Sequence, residues 1–183
     1  MATDDSVRVR PAAPDDARAV AGVHVDSWRA AYVGLLPQAV LDGLSVGQRT
    51  RHWDRVLRHG SPDRVVVAER DDRVVGFAHV GPAHDHGAGP ATGQLITIYV
   101  RPDAWGTGVG TSVHDSGLAQ LADVGYDRAV LWMLSTNARA ARFYASRGWV
   151  RDGRIRVQQF GGAVVIDHRF ARRLRPTRAS PVT

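Results

Sequence analysis

The chain has 183 residues, of which 44% are hydrophobic and 23% charged, a composition typical of one globular domain with a hydrophobic core. It contains no cysteine, which excludes disulfides, thiolate metal ligands and a cysteine nucleophile. No apolar run approaches the roughly 18 residues of a membrane helix, and the polar, acidic first residues do not resemble a secretory signal. We therefore expect a cytoplasmic protein without a membrane partner.

The formal net charge is +6, and all 24 basic residues are arginine. Five of them crowd the end of the chain: Arg169, Arg172, Arg173, Arg175 and Arg178. A basic balance favours polyanionic partners such as nucleic acid. We interpret this cluster instead as a solvated, flexible tail over residues 171–183, following a single domain over residues 1–170, and do not expect nucleic acid as a partner.

The first third of the chain predicts one short strand and two helices. Residues 7–10 alternate like a strand. Pro14 followed by two acids suits a helix start, and apolar residues at helical spacing carry this helix to about residue 31. Ser45 and Gln48 form a capping box, which predicts a second helix to about residue 59.

The middle of the chain predicts three strands in series, at 64–70, 73–80 and 95–100. The first two are joined by a turn at Asp71-Asp72, and a loop rich in glycine and proline covers 81–93. Consecutive strands with such short connections pair antiparallel.

The last part alternates helices and strands: a helix over 108–124, a strand over 129–134, a helix over 138–147, and two strands within 150–170. The strand–helix–strand unit from 95 to 134 predicts a parallel crossover. The fold class is therefore α/β (mixed α+β), with a single mixed, mostly antiparallel sheet of about seven strands flanked by about four helices.

A glycine-rich segment at residues 105–111 carries the clearest chemical signal. It follows a strand and a proline turn, and its three alternating glycines open a helix. Glycines let the chain bend tightly and bring bare N–H groups against a bulky anion. The first amides of a helix have no internal partner, and the helix dipole adds positive potential. The segment predicts a pyrophosphate site built from backbone.

Other phosphate-binding motifs do not fit this segment. A nucleotide P-loop needs a lysine, and this chain has none. The dinucleotide fingerprint needs glycine at its first, third and sixth positions, but the sixth position is Thr111 or Val113, depending on the starting glycine. A tight strand-to-helix turn without a ligand remains the structural alternative.

These residues resemble the GCN5-related N-acetyltransferase (GNAT) family. The family's cofactor motif, Arg/Gln-x-x-Gly-x-Gly/Ala, is matched from Trp105 to Gly110, with tryptophan where Arg or Gln is usual. A later family motif is matched from Asn137 to Tyr144 and again at 147–149. The segment 27–37 is similar to one branch of small bacterial members, and the resemblance covers about residues 7–170.

The resemblance implies a binding site for acetyl-CoA, used as a co-substrate without a metal. Ile98 to Val100 would pair with the acyl-pantetheine arm in a slot between strands 95–100 and 129–134. Asn137 would bond the same arm, although helix capping alone would also explain it. The implied cofactor-binding residues are Ile98, Tyr99, Val100, Trp105, Gly106, Thr107, Gly108, Val109, Gly110, Thr111 and Asn137.

The reaction implied is transfer of an acetyl group to a primary amine. Without a cysteine to carry the acetyl group, we expect direct attack by the amine. Tyr144 is the candidate catalytic residue, donating a proton to the leaving thiolate, and core packing of its ring is the alternative. The base that deprotonates the amine stays open among Asp26, Glu69, His79, His84 and a water chain.

The acceptor is expected to be a small-molecule amine or a peptide. Among the early aromatic residues, Tyr32 is the pocket candidate, while Trp28 and Trp53 are expected in the core. Arg139 and Arg142 are expected on a solvated helix face, with contact to the cofactor phosphates as the alternative. A homodimer through the last hairpin is an expectation by analogy with the family. The alternative function is a non-catalytic acyl-CoA-binding sensor or interaction module on the same fold.

Overall fold

The computed structural model describes residues 7–58, 62–86 and 88–174. Its first half contains three strands and three helices. They are β1 (Arg8–Pro11), α1 (Ala17–Ala31), α2 (Gln38–Asp42), α3 (Val46–Arg58), β2 (Arg64–Arg70) and β3 (Arg73–Pro82). The second half contains four strands and two helices. They are β4 (Thr92–Val100), α4 (Val109–Asp123), β5 (Arg128–Leu134), α5 (Ala138–Ala145), β6 (Val150–Phe160) and β7 (Ala163–Arg173).

One sheet organises the molecule, with strands in the order β1-β2-β3-β4-β5-β7-β6. Neighbouring strands pair antiparallel except β4 and β5, which are parallel. This confirms the predicted mixed α/β sheet of seven strands and its parallel crossover. In the described residues, five helices flank the sheet, one more than predicted.

Helices cover both faces of the sheet, so its central strands are buried on both sides. On one face, α4 and α5 pack over a cluster that includes Val113, Leu121 and Trp149. On the other face, α1 and α3 pack over a cluster that includes Trp53 and Phe77. No helix in the described part of the chain is long and apolar enough to cross a membrane.

Helix α4 starts very close to the sheet, which fixes the position of the loop before it. Val109 in its first turn lies on Gly76 of β3, where an added Cβ would be only 2.8 Å from a Val109 methyl carbon. Any larger residue at 76 would push the start of α4 outward. The sheet therefore holds the glycine-rich loop in place from below.

One missing helix and one predicted boundary need correction. Helix α2 was not predicted, because it is only five residues long and Leu41, which is 1% exposed, holds it in place through tertiary packing. The predicted domain boundary at residue 170 falls inside β7, which runs to Arg173 because residues 169–173 pair with β5. Arg175 and Arg178 of the predicted tail lie outside the described residues.

The hairpin of β6 and β7 has two different faces. Four apolar side chains on its outward face are largely exposed: Ile155, Val157, Val164 and Ile166. Val157 lies directly opposite Ile166 in the ladder, so these side chains form one patch at the edge of the sheet. The other face contributes Gln158 and Asp167 to a cavity.

Candidate active site

The parallel strands β4 and β5 diverge and open a slot in the sheet. They pair only from Thr92 to Gln94 of β4 with Arg128 to Val130 of β5. Beyond that point the two strands separate, as the family resemblance implied, and a cavity of about 650 Å³ occupies the gap. Its lining comes from β4, β5, α1, the glycine-rich loop, α5 and the hairpin β6–β7.

The glycine-rich loop presents unpartnered backbone amides to this cavity. Gly106 and Gly108 have φ of 79° and 89°, a left-handed conformation that glycine adopts without strain. Within the described residues, the amides from Gly106 to Thr111 donate no hydrogen bond, and Gly108 is the N-cap of α4. The Trp105 amide differs, because it donates to the Pro102 carbonyl. Six successive free amides at a helix start form a site suited to an anion.

The open edge of β4 supplies further backbone groups. The Arg101 amide donates to Val75 of β3, so by strand alternation the backbone groups of Val100 and Ile98 point to the other side, into the slot. Tyr99 directs its backbone to β3 and lines the cavity with its ring. The Val100 carbonyl already accepts from Ser27 Oγ at 2.8 Å and Trp105 Nε1 at 2.7 Å. The remaining open groups are the Val100 amide and both backbone groups of Ile98.

The ring of Trp105 stacks against the guanidinium of Arg139, an exposed residue of α5. The guanidinium carbon of Arg139 lies 3.4 Å from the centroid of the Trp105 ring, and both residues line the cavity. The bond from Trp105 Nε1 to Val100 fixes the ring. Burial lowers the pKa of Arg139, and no carboxylate of the described residues pairs with it. Arg139 is exposed, as predicted, and its stacking on Trp105 makes it a cation beside the free amides.

Asn137 begins α5 and combines two properties. Its Oδ1 accepts from the Ala140 amide at 3.0 Å, which is an N-cap. The residue is 9% exposed and also lines the cavity. Capping is therefore observed, and the side-chain NH₂ group is left as the donor toward the cavity.

Tyr144 lies on the inner face of α5. Its ring packs against Phe143 and Trp149, with centroid distances of 5.4 and 6.0 Å, and the residue is 8% exposed. Burial raises the pKa of the Tyr144 hydroxyl above its ordinary value, with a smaller contribution from Tyr99. The side chain lines the cavity and stays protonated at neutral pH, so it can donate a proton there.

Aromatic side chains form the end of the cavity away from the glycine-rich loop. Tyr32 lines it as predicted, but so does Trp28, whose ring lies 5.0 Å from Tyr32 and 6.2 Å from Phe160. Trp53 is 1% exposed and belongs to the core, where it donates to His24. The prediction placed Trp28 in the core because apolar spacing along a helix does not distinguish core from pocket.

None of the four side chains considered as a base lines the cavity. Asp26 pairs with Arg101 at 2.7 Å, Glu69 pairs with Arg8 and Arg10, and buried His79 bonds Asp63 at 3.0 Å. His84 is exposed in the loop between β3 and β4. No three or more acidic, histidine or cysteine side chains of the described residues are grouped so that they could hold a metal ion.

The carboxylate that does line the cavity is Asp167 of β7, which sequence reasoning missed. It is 7% exposed and accepts from Arg156 Nη2 at 2.8 Å. The available signal was an acid that directly follows three apolar residues, Val164 to Ile166, within a predicted strand. Such an acid must have partners inside the fold, which marks it for attention even without a motif.

The architecture defines the class of protein: a mixed sheet with a split parallel strand pair and an amide cradle at a helix start. Two solved structures share the fold. The paia N-acetyltransferase from Thermoplasma acidophilum, solved in complex with coenzyme A, has a TM-score of 0.67 at 16% identity over 89% of this chain and 98% of that chain. The protein yncA from Salmonella typhimurium, solved with its cofactor acetyl-CoA, has a TM-score of 0.68 at 20% identity over 97% and 99%. At these identities they establish the fold.

Sequence comparison identifies the family. The model of the Acetyltransferase (GNAT) family matches residues 27–149, and the chain belongs to that family. It is 30% identical over 131 residues to the uncharacterized N-acetyltransferase YuaI of Bacillus subtilis (strain 168), a match that covers 72% of this chain and 73% of that protein. The resemblance stated from the two motifs is confirmed, and the chain is an acyltransferase of this family.

Proposed function

We propose that this protein transfers an acetyl group from acetyl-CoA to a primary amine, by direct attack of the amine on the thioester. The observation that carries this proposal is one continuous cavity. It is lined both by Gly106, Gly108, Gly110 and Thr111 of the free-amide segment and by Tyr144, whose hydroxyl is protonated. The solved relatives with coenzyme A and acetyl-CoA support the choice of donor.

The residues present fit two polar parts of coenzyme A, its diphosphate and its pantetheine arm. The free amides and the dipole of α4 suit the diphosphate, with the guanidinium of Arg139 beside them. The open backbone groups of Ile98 and Val100 suit the amides of the pantetheine arm, which can pair with β4 as an added strand would. Bound acetyl-CoA supplies the activated acetyl thioester.

The proton balance of the reaction involves Tyr144 as the acid. The acceptor enters as an ammonium ion and releases one proton to bulk water. Its neutral nitrogen forms the new C–N bond while the C–S bond of the thioester breaks. Tyr144 donates its hydroxyl proton to the leaving sulfur, and the second proton, lost as the amide forms, restores the phenol. The sum is ammonium plus thioester giving amide, thiol and one proton.

A panel of primary amines tests this function directly. Thiol release from acetyl-CoA is measured with each amine, and acetylated products are identified by mass. Turnover with at least one amine, lost in Tyr144→Phe, is the expected result. Saturable acetyl-CoA binding without turnover on any amine or peptide would instead support the alternative function of an acyl-CoA sensor.

The outward face of the β6–β7 hairpin supports a homodimer in the same proposal. Its exposed apolar side chains, with Val157 opposite Ile166, lie beside the edge strand β6, and such a patch at an edge favours self-association. Sedimentation of the wild type and of Val157→Glu tests it. A dimer converted to a monomer is expected, and a wild-type monomer at high concentration contradicts it.

A further inference from the structure

Asp167 has one carboxylate oxygen to which the described residues donate no hydrogen bond. Arg156 and Gln158 of the neighbouring strand both donate to Oδ2. No donor among the described residues reaches Oδ1, although the residue is 7% exposed and lines the cavity. Oδ1 is not among the fully buried atoms that lack a partner, so it is open to the cavity, where a ligand or water can donate to it. The arrangement therefore favours a donor that comes from the cavity.

Asp167 lies at the aromatic end of the cavity. It lies opposite Leu134, the last residue of β5, on the side where β4 and β5 have separated. The hydroxyl of Tyr32 is influenced by Tyr99, Tyr144 and Asp167 together, and their combined effect with burial raises the pKa of Tyr32. The carboxylate and the proposed acid Tyr144 thus face the same volume.

The other walls at this end are aromatic and apolar. Trp28, Tyr32 and Phe160 form a connected group of rings, and Leu36 and Val165 complete the lining. Aromatic faces attract an ammonium ion and also accept an apolar body. The cation at this end, Arg156, is already bound to Asp167 and lies 4.7 Å above the Trp132 ring.

From these contacts we propose that Asp167 anchors the ammonium group of the acceptor, and that the acceptor is a primary amine on an uncharged, apolar or aromatic body. This inference rests on the proposed function and names its substrate class. Asp167 acts in binding. Its Oδ1 accepts a hydrogen bond from the ammonium group and so holds the nitrogen in the cavity before the ammonium loses its proton. A carboxylate next to the amine would meet the like charge of Asp167, so amino acids are disfavoured acceptors.

The test uses three probes that share one phenylethyl group: 2-phenylethylamine, phenylalanine and 2-phenylethanol. Turnover is measured with the two amines, and equilibrium binding of all three is measured by calorimetry on protein saturated with coenzyme A. We expect kcat/KM for 2-phenylethylamine at least 10-fold above that for phenylalanine. In Asp167→Asn, we expect the KM and the Kd for 2-phenylethylamine to rise about 10- to 100-fold, the usual effect of losing a hydrogen bond to a charged group.

Two controls separate anchoring from a structural role. Binding of the neutral 2-phenylethanol should be unchanged in Asp167→Asn, because the alcohol needs no anion. Asp152→Asn removes another acid of the same hairpin that binds an arginine, Arg169, but does not line the cavity. This variant should bind 2-phenylethylamine as the wild type does.

Each remaining outcome decides between the two proposals. Equal loss of the amine and the alcohol in Asp167→Asn, equal effects in both asparagine variants, or a preference for phenylalanine would overturn the anchoring role. Binding of 2-phenylethylamine that depends on Asp167, without any turnover, would keep the anchor and reject acetyl transfer. Turnover that is unaffected in Asp167→Asn would support acetyl transfer and reject the anchoring role.

Discussion

The two halves of the cavity differ in the groups that line them: main-chain groups in one half and side chains in the other. The half around the glycine-rich loop uses main-chain groups of one continuous segment, the amides from Gly106 to Thr111 and the open edge of β4. The half at the aromatic end uses side chains from opposite ends of the chain, with Trp28 from α1 and Asp167 from β7. A ligand part common to a whole family can be held by backbone, whereas a variable acceptor needs side chains that can change independently.

This comparison predicts that the two halves respond separately to substitution. A change in the backbone half should alter affinity for acetyl-CoA and leave amine binding intact. A change in the aromatic half should do the opposite. Tyr144 stands between them, so its loss should affect the chemical step and neither affinity.

Tyr144→Phe carries the largest expected effect. The variant keeps the ring packing against Phe143 and Trp149 and removes only the acid. We expect kcat to fall by about 100-fold or more, within the usual range for general acid catalysis, with an unchanged Kd for acetyl-CoA. Single-turnover kinetics measures the chemical step. Tyr32→Phe, the matched phenol at the aromatic end, should keep most of the turnover, and equal losses in both variants would remove the special role of Tyr144.

Low pH should lower the stability of the folded protein through His24, which lies beside the aromatic half of the cavity. This residue lies under Trp28 and Tyr99, and burial, followed by the charges of Arg49 and His52, lowers its pKa to about 3. Below the ordinary histidine pKa of about 6.5, the unfolded chain binds a proton that the folded chain does not. Stability therefore falls as the pH drops from about 6.5 toward 3, by about 2 kcal/mol from His24 between pH 6.5 and 5.

Urea denaturation at pH 7 and pH 5 measures this loss. His24→Gln keeps an acceptor for Trp53 and should flatten the dependence, whereas replacement of the exposed His84 by Gln should leave it as in the wild type. Since burial also lowers the pKa of His79 and His114, part of the acid loss should persist in His24→Gln. If the loss of stability between pH 7 and pH 5 were the same in His24→Gln as in the wild type, His24 would not be its source.

Gly108→Ala tests the backbone half with an intermediate effect. Gly108 has φ of 89° and no atom within 4 Å of an added Cβ, so the cost comes from backbone conformation alone. Alanine there favours a relaxed loop in the free protein by roughly 1–2 kcal/mol, and acetyl-CoA must restore the binding conformation, so its Kd should weaken about 5- to 30-fold. Gly125→Ala imposes a comparable strain beyond the other end of α4, with φ of 100°, and should leave this Kd unchanged. Equal Kd values for both variants would contradict diphosphate binding by the glycine-rich loop.

Arg139→Gln should have the smallest effect, because the guanidinium is only partly withdrawn from water. We expect the Kd for coenzyme A to rise about 2- to 5-fold at low salt, and the difference to vanish at high salt as the charge is screened. Arg142→Gln, an exposed position on the same helix that does not line the cavity, is the control. A difference that is independent of salt would argue against a phosphate contact.

Sequence reasoning succeeded where local signals determine the structure. The strands, the glycine loop and the Asn137-to-Tyr144 helix follow from periodicity, caps and two family motifs, all within short windows. It failed where long-range packing decides. Helix α2 depends on the burial of Leu41, and the cavity position of Asp167 depends on β7 returning beside β5. The stacking of Arg139 on Trp105 likewise joins two segments whose contact no spacing rule predicts.

The central claim is that the backbone amides from Gly106 to Thr111 hold the diphosphate of coenzyme A. Titration of isotope-labelled protein with coenzyme A, followed by amide NMR, measures each of these N–H groups separately. The account predicts saturable shifts that are largest from Gly106 to Thr111 and small in α3. Saturation of the protein without shifts at these six amides, or no saturable binding, would contradict it.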